Sequence, residues 1–240
     1  MSSRQQSSSA RHGKTGNHQA AIATPAATTG ARRGKTLATL LLDANPVNAE
    51  RFIEDAYVRD NCLLDIFSDV IEPAARYLGD EWAEDHCAEA EMTLALVRLL
   101  AKAHELTLHD GQQPAANGRV VLGTPPSESH LLGCGLLSDL LRLRGFRVDI
   151  EDGCIRRPAY LEDQDIFVVC VSPALCRGVR NGWEGLVEPN PELPLGKTGV
   201  YGRLADNDVA TWTTAGADFA CSSLRDTYEQ CCGCAEPMTH

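Results

Sequence analysis

The chain has 240 residues, of which 43% are hydrophobic and 23% charged, values typical of a soluble protein with room for two modest domains. Its formal net charge of −11 is unevenly distributed, because residues 1–35 contain six basic residues and no acidic one. The remainder therefore holds 16 basic and 33 acidic residues, which makes it a poor binder of phosphate backbones. We expect any contact with DNA to be made by the basic N-terminal segment or by a partner protein.

No apolar run approaches the ~20 residues of a membrane span, and the N-terminus lacks the apolar core of a signal sequence. We therefore expect a cytoplasmic protein that does not enter a membrane. The ten cysteines are then interpreted as thiols, or as metal or redox groups, in a reducing compartment.

The first half of the chain is predicted to be helical after a disordered start. Residues 1–33 are rich in Ser, Ala, Gly, Thr and Gln without a periodic apolar pattern, which predicts a disordered basic segment. Helical spacing over 34–109 predicts a small bundle of four helices. Its helices are TLATLLLDA (36–44), VNAERFIEDAYV (47–58), CLLDIFSDVIEPAARYLGDEWAED (62–85) and AEAEMTLALVRLLAKAHELTL (88–108). Pro73 is expected to kink or divide the third helix, because proline removes a helical hydrogen bond.

The pattern changes after a predicted linker at 110–118. Short β-branched apolar runs at 119–123, 146–150 and 165–172 predict strands buried on both faces of a parallel sheet. The run 133–145 predicts a helix between the first two strands, ending at Gly145 in a left-handed conformation. Two further short strands are expected near 198–201 and 218–221. Residues 119–230 are therefore predicted to form a Rossmann-like (flavodoxin-like) parallel α/β domain that follows the helical bundle.

The segment TPPSESHLLGCG (124–135) joins the first strand to this helix. In an open α/β sheet such a loop stands at the carboxyl end of a strand, where ligands bind. It carries an acid and an imidazole two residues apart, Glu128 and His130, followed by Gly133. We interpret them as ligand-binding groups, the alternative being a solvated loop histidine.

The sequence ESHLLG (128–133) resembles the Asp-x-His-x-x-Gly signature of cobalamin-binding domains, with Glu128 in place of the aspartate. The resemblance extends to LLRLRGFRVDI, to VSPAL, which contains Ser172, and to AGADFACSSLRD. DVIEPAARYLGDEWAED is similar to the four-helix cap that precedes the cobalamin domain in methionine synthases and in CarH-type light-sensing regulators. Together these segments cover residues from about 35 to about 230.

The resemblance implies a cobalamin cofactor, in an adenosyl, methyl or hydroxo form that the sequence does not specify, bound in the base-off, His-on mode. His130 is then the lower ligand of cobalt, and Glu128 accepts a hydrogen bond from its second ring nitrogen. The resemblance also implies that Ser172 completes this group. Gly133 then lets the loop and the cofactor's nucleotide tail approach the backbone closely.

Further residues of the implied site lie later in the sheet and in the cap. Gly199 and Gly202 fall where the family keeps small residues beside the tail, although Val200 and Tyr201 interrupt its glycine pair. Trp82 resembles the cap tryptophan that covers the upper face of the corrin ring. The alternative for Trp82 is an ordinary aromatic residue of the bundle core.

One departure from the CarH pattern concerns the upper face. In those sensors a Glu-His pair follows the cap tryptophan after nine intervening residues, whereas Met92 and Thr93 occupy these positions here. The upper-face histidine is therefore missing, which puts a CarH-like tetramer switch in doubt. His86 could share the helical face of Trp82 only if the helix continues through it.

A cap and a cobalamin domain without a helix-turn-helix, after a short basic segment, resemble the AerR/PpaA antirepressors of purple photosynthetic bacteria. The resemblance implies a non-enzymatic, light-responsive transcriptional regulator that acts on a CrtJ/PpsR-type repressor of photosynthesis genes. Two alternatives stay open. One is a corrinoid protein that carries methyl groups for a methyltransferase, and the other is a haem-binding sensor of the same fold.

The predicted C-terminal tail, 231–240, is rich in cysteine. Cys231, Cys232, Cys234 and His240 offer soft ligands for a metal or a redox role. Because Cys-Cys-x-Cys is not a zinc-finger spacing, we interpret the segment as a thiol-rich tail rather than a metal site.

Overall fold

The computed structural model describes residues 25–43, 45–111, 117–125, 132–171, 196–203, 206–214 and 216–235. Its first half is helical, as the apolar periodicity predicts. The helices are α1 (Pro25–Leu42), α2 (Val47–Asp60), α3 (Leu63–Ile66), α4 (Glu72–Ala83) and α5 (Glu89–Asp110), and a π-helical turn, Phe67–Ile71, joins α3 to α4. None of the described helices is both long and apolar enough to cross a membrane.

Where a kink or division at Pro73 was expected, the third helical segment instead changes its hydrogen bonding just before the proline. The backbone N–H of Glu72 donates to the carbonyl of Phe67, five residues back rather than four. The proline ring has no N–H and crowds the carbonyl four residues earlier, so the wider π spacing accommodates it. The chain nevertheless stays helical from Leu63 to Ala83.

The prediction that residues 1–33 are disordered is wrong for residues 25–33, which belong to α1. Gly30 and Gly34, one turn apart, allow α1 to cross the α3–α4 segment closely. An ideal Cβ at Gly34 would lie 2.5 Å from the Cβ of Pro73. Arg33 adds an ion pair to Asp60 of α2 at 2.5 Å. These are contacts of small and charged residues between helices, and a search for large apolar residues does not detect them.

The second half contains the helices α6 (Leu132–Leu143), α7 (Asp206–Thr214) and α8 (Leu224–Ala235). Its strands are β1 (Arg119–Thr124), β2 (Arg147–Asp152), β3 (Ile166–Val171), β4 (Thr198–Gly202) and β5 (Phe219–Cys221). The described strands pair in parallel in the order β2-β1-β3-β4-β5. This is the flavodoxin-like order, so the predicted fold is confirmed. Gly145 has the expected left-handed conformation, with φ of +93°.

Two apolar clusters cover the two faces of the sheet. On one face, α6 and α8 pack between the sheet and the cap, and Leu137, Leu141 and Leu224 are fully buried there. On the other face, α7 and the irregular segment 153–165 cover Phe167, and Trp212 of α7 is itself buried. Among the described residues, the cap therefore packs on the first of these faces, and its core is continuous with that of the α/β domain.

The prediction of a separate tail from residue 231 is wrong, because α8 continues to Ala235. Leu224, Thr227 and Cys231 recur at three- and four-residue steps and are each fully buried. This periodicity forms a packed helical face, which holds the beginning of the expected tail against the domain. Residues 236–240, and with them His240, lie outside the described residues.

Candidate functional site

The sheet has a point at which the order of strand addition reverses. β1 has β2 on one side, while β3, β4 and β5 follow on the other. In open α/β sheets, ligands bind in the crevice beyond the carboxyl ends of the two strands at such a switch point, here β1 and β3. The candidate functional site is therefore the carboxyl edge of these two strands.

The loop residues of the predicted site belong to the segments that follow these two strands. Glu128 and His130 come after Thr124, the last residue of β1, and Ser172 comes directly after Val171, the last residue of β3. Glu128, His130 and Ser172 lie outside the described residues, so their roles stay predictions. Because neighbouring parallel strands end at the same edge of a sheet, both segments leave the sheet at the candidate site.

The cap contacts the carboxyl edge of the sheet through the C-terminal part of α4. Arg203, directly after β4, forms an ion pair through two contacts with Asp80 of α4, one of them at 3.1 Å. Trp82 lies two residues further along α4 and is 40% exposed. This exposure does not fit the alternative of an ordinary core aromatic residue. Contact between Trp82 and a cofactor stays a prediction.

His86 does not share the helical face of Trp82. The helix ends at Ala83, and Asp85 takes a left-handed φ of +59°. The Nδ1 atom of His86 instead lies 3.4 Å from the carboxylate of Glu81 and 3.5 Å from that of Glu84. These three side chains form a surface cluster at the end of the helix.

A buried polar cluster that sequence patterns did not predict connects the cap to the sheet. The carboxylate of Glu72, at the start of α4, accepts hydrogen bonds from three groups. They are the hydroxyl of Tyr201 at 3.0 Å, the guanidinium of Arg76 at 2.8 Å and the backbone N–H of Leu224 at 3.1 Å. Arg76 also donates to the carbonyl of Ser222. Glu72 is 8% and Tyr201 4% exposed, so water reaches neither side chain freely. Their hydrogen bonds are made to protein groups within the interface instead.

The electrostatics of this cluster follow from its position. The carboxylate of Glu72 lies at the N-terminus of α8, where unsatisfied N–H groups and the helix dipole stabilise a negative charge. Burial, and then the charge of Glu72, raise the pKa of Tyr201 well above its ordinary value of 10.0, so its hydroxyl stays a donor. One sequence signal was available, because Glu72 is the single charged residue in the run VIEPAA (70–75).

The three glycines of the expected site face protein atoms. An ideal Cβ at Gly133 would lie 2.9 Å from the hydroxyl oxygen of Tyr201. At Gly199 it would collide with the ring of Phe219, and at Gly202 with the carbonyl oxygen of the last residue of β3. Close internal packing thus accounts for the missing side chains. Contact of these glycines with a nucleotide tail stays a prediction, and it requires their present neighbours to move.

The described cysteines form no disulfide with one another. A hydrogen bond with the thiol of Cys134, followed by burial, raises the pKa of Cys170 well above its ordinary value of 9.0. Burial likewise raises the pKa of Cys231. These thiols are protonated packing groups. A metal site needs at least three ligand atoms close together. Among the described residues, the surface cluster around His86 is the one place where three such atoms lie within 4.8 Å of one another. The described cysteines of α8 are not part of such a group.

No family model matches the chain. Its sequence is similar to that of a Rhodobacter capsulatus protein described as an uncharacterized 20.5 kDa protein in the bchF-crtJ intergenic region, with 36% identity over 83 residues. The match covers 33% of this chain and 43% of that protein, so the chain spans less than half the length of this curated relative.

The structure of the chain is similar to that of the Methanosarcina barkeri monomethylamine corrinoid protein, with a TM-score of 0.62 at 13% identity. This match covers 84% of the present chain and 98% of the other. A cobalamin-binding protein from Desulfitobacterium hafniense DCB-2 matches with a TM-score of 0.37 at 14% identity, over 85% and 98% of the two chains. From the first match, this chain has the fold of a corrinoid protein, a helical cap followed by a parallel α/β domain.

Proposed function

We propose that this chain binds a corrinoid, in the form of cobalamin, at the carboxyl edge of β1 and β3, with His130 as the lower ligand of cobalt. One observation carries the proposal, namely that the strands preceding the His130 and Ser172 segments are the two strands of the switch point. The end of α4 that bears Trp82 is tied to the same edge by Arg203. The shared fold with a corrinoid protein supports the same class of cofactor.

The roles of the residues follow from the chemistry of the ligand. His130 has to be neutral to offer a lone pair to cobalt, and Glu128 accepts the N–H of its other ring nitrogen, which fixes the tautomer. Ser172 would extend this hydrogen-bonded group, and Trp82 would pack against the bound corrin ring. The cofactor itself supplies a cobalt centre whose upper bond responds to light or to reduction.

We further propose that the chain is a non-enzymatic, light-responsive regulator in the cytoplasm, acting as an antirepressor on a CrtJ/PpsR-type repressor. The relative from the bchF-crtJ intergenic region supports a link to photosynthesis genes. The chain beyond residue 35 is strongly acidic, which suits a protein partner better than DNA.

The proposed signal passes through α4. A ligand shifts a conformational equilibrium only when it binds the two states with different affinity. Trp82 would contact the corrin when it is bound, and Asp80 lies two residues before it, so a displacement of Trp82 would also disturb the exposed Arg203–Asp80 pair. The Glu72 cluster meanwhile holds the start of the helix.

Absorption spectroscopy tests the cofactor. The protein is mixed in turn with hydroxocobalamin, with cobinamide, which lacks the nucleotide tail, and with haem, and is then separated from unbound ligand. We expect corrin bands to stay with the protein, and cobalamin to bind more tightly than cobinamide if the tail is held in the α/β domain. If the protein binds haem but no corrinoid, the proposal is contradicted and the chain is a haem-binding sensor instead. Equal affinity for the two corrinoids contradicts a tail site at Gly199 and Gly202.

Repressor binding tests the regulatory part. The affinity for the purified repressor is measured with and without adenosylcobalamin, in the dark and after illumination. We expect the affinity of the loaded protein to change by about tenfold on illumination, within the usual range of coupling between two sites. Identical affinities in all four states contradict the switch while leaving corrinoid binding intact.

A second candidate function is transport of methyl groups for a methyltransferase. It is favoured by the structural similarity to the monomethylamine corrinoid protein, which extends over cap and sheet alike. Under strongly reducing conditions, with a methyl donor and candidate methyltransferases, this function predicts the absorption spectrum of a methylated corrinoid. A bound corrinoid that none of these partners methylates contradicts it.

A further inference from the structure

The helix α5 has apolar residues on two sides. One side is buried in the cap and comprises Met92, Ala95, Leu99, Ala103 and Leu106. The other side is exposed, and Leu94, Val97 and Leu108 on it are 49%, 58% and 64% exposed. A helix that serves only its own domain needs one apolar face, so the second face requires an explanation.

The exposed residues have the spacing of a coiled coil. Leu94, Val97, Ala101, His104 and Leu108 follow one another at alternating steps of three and four, and all five are exposed. This heptad spacing aligns a seam of side chains with a second helix, whereas scattered surface residues have no such period. We call these five residues the α5 seam.

The charges beside the α5 seam complement each other. Arg98 and Glu105 both line a cavity of about 160 Å³ between α5 and α2, so they flank the seam on the same side. They lie one heptad apart. Glu105 also contacts Lys102 at 2.9 Å, whereas Arg98 makes no ion pair within the part of the chain that the structure describes. An arginine and a glutamate at this spacing match the same pair on a helix that runs in the opposite direction.

We infer that the α5 seam is a docking surface for a second copy of this chain, whose α5 packs against it in antiparallel orientation. About a two-fold axis between Ala101 and His104, Val97 meets Leu108 of the second copy and Ala101 meets His104. The same axis sets Arg98 opposite Glu105, and symmetry forms this ion pair twice.

Two other arrangements fit the residues less well. If the two α5 helices ran parallel, Arg98 and Glu105 would lie next to the residues on the other side of the second copy's seam. Those residues carry no charge; they are Thr93, Leu100 and Thr107. The N-terminal segment, residues 1–24, is a poor cover for the seam because, apart from Met1, its only large apolar residue is Ile22. The inference does not depend on the cofactor.

Analytical ultracentrifugation of the full chain tests the inference, from low micromolar to submillimolar concentration. We expect a monomer–dimer equilibrium in the wild type. Val97→Glu buries a charge against Leu108 of the second copy, and symmetry does so twice, so it is expected to abolish the dimer. The matched control is Val58→Glu, at an 80% exposed valine of α2, which is expected to leave the dimer intact. Circular dichroism verifies that both variants are folded.

Charge reversal tests the orientation. Arg98→Glu sets carboxylates against each other and is expected to weaken the dimer several-fold, and the additional change Glu105→Arg is expected to restore it. Circular dichroism again verifies the fold. Three results overturn the inference: a wild type that stays monomeric over the whole range, a dimer that survives Val97→Glu, and a reversal that the second change does not rescue.

Discussion

Two polar contacts join α4 to the end of β4, and they differ in burial and in their number of partners. Glu72 and Tyr201 meet at the start of α4 in a buried site where Arg76 and the N-terminus of α8 complete the hydrogen bonding. Asp80 and Arg203 meet two turns further along α4, and their side chains are 46% and 45% exposed. One helix therefore has a firmly held beginning and a lightly held end.

The buried contact is expected to contribute to the stability of the fold, whereas the exposed contact leaves the end of α4 able to move. Removing one partner of a buried charged contact leaves the other unmatched, which costs about 3–5 kcal/mol. An exposed ion pair contributes at most about 1 kcal/mol, because water replaces either partner easily. Trp82 belongs to the lightly held end, so under the proposed function the cap would adjust to a ligand there while its attachment to the sheet persists.

The largest effect is expected from Glu72→Ala. The change leaves the Tyr201 hydroxyl, the Arg76 guanidinium and the N–H of Leu224 without their acceptor, and we expect the free energy of unfolding to fall by about 3 kcal/mol. Denaturant unfolding measures it. The control, Glu89→Ala at the exposed start of α5, is expected to cost less than about 1 kcal/mol. Similar losses in both variants contradict the comparison.

Tyr201→Phe is expected to cost about 1 kcal/mol at neutral pH through loss of one buried hydrogen bond. Its pH dependence has a definite sign. Because the fold raises the pKa of Tyr201 above 10.0, the stability that it contributes is fully present below pH 10 and is lost as the pH rises further. The gap between wild type and variant should therefore shrink in alkaline denaturation experiments. A gap that does not change with pH contradicts the buried, protonated hydroxyl.

Gly133→Ala tests the packing between α6 and Tyr201. Alanine is favoured over glycine in a helix by about 0.5–1 kcal/mol, but its Cβ would lie 2.9 Å from the Tyr201 hydroxyl oxygen. We expect the change to destabilise the wild type and to cost less in Tyr201→Phe, where the hydroxyl is gone but ring carbons at 3.1 and 3.3 Å remain. A double-mutant cycle should then give a coupling of about 1 kcal/mol, and strict additivity would contradict the contact.

The smallest effect on stability is expected from Arg203→Ala, below about 1 kcal/mol, because the ion pair is exposed. If the end of α4 carries the signal, the same change should weaken the light response of repressor binding while thermal unfolding hardly changes. A loss of stability as large as that of Glu72→Ala would remove the distinction between the two contacts.

Most helices and strands could be predicted from the sequence, because the burial of one face of a helix, or of both faces of a strand, produces a recognisable pattern of apolar residues. The runs at 119–123 and 165–172 became β1 and β3, and the helical runs became the cap. Pro73 predicted an irregularity in the third helix, and the structure has a π turn just before it. The start of α1 was missed because Gly30 and Gly34 contribute by being small, a property that leaves no apolar pattern.

The candidate site was less predictable. The motif around His130 and the position of Ser172 predicted the carboxyl edge, and the switch point lies at the same strands. The Glu72–Tyr201 contact joins residues 129 positions apart, and no local pattern specifies such a pairing. Likewise, Gly199 signals that something approaches the backbone, but not that Phe219 is the group that does so.

The most direct test of the central claim is electron paramagnetic resonance of the bound, one-electron-reduced corrinoid in protein labelled with ¹⁵N-histidine. If a histidine ligates cobalt, the nitrogen splitting changes from the triplet of ¹⁴N to the doublet of ¹⁵N. We expect this doublet in the wild type and in the control His109→Ala, at an exposed residue near the end of α5, and its loss in His130→Ala. A triplet that persists in labelled protein, or a doublet that survives His130→Ala, would contradict the account.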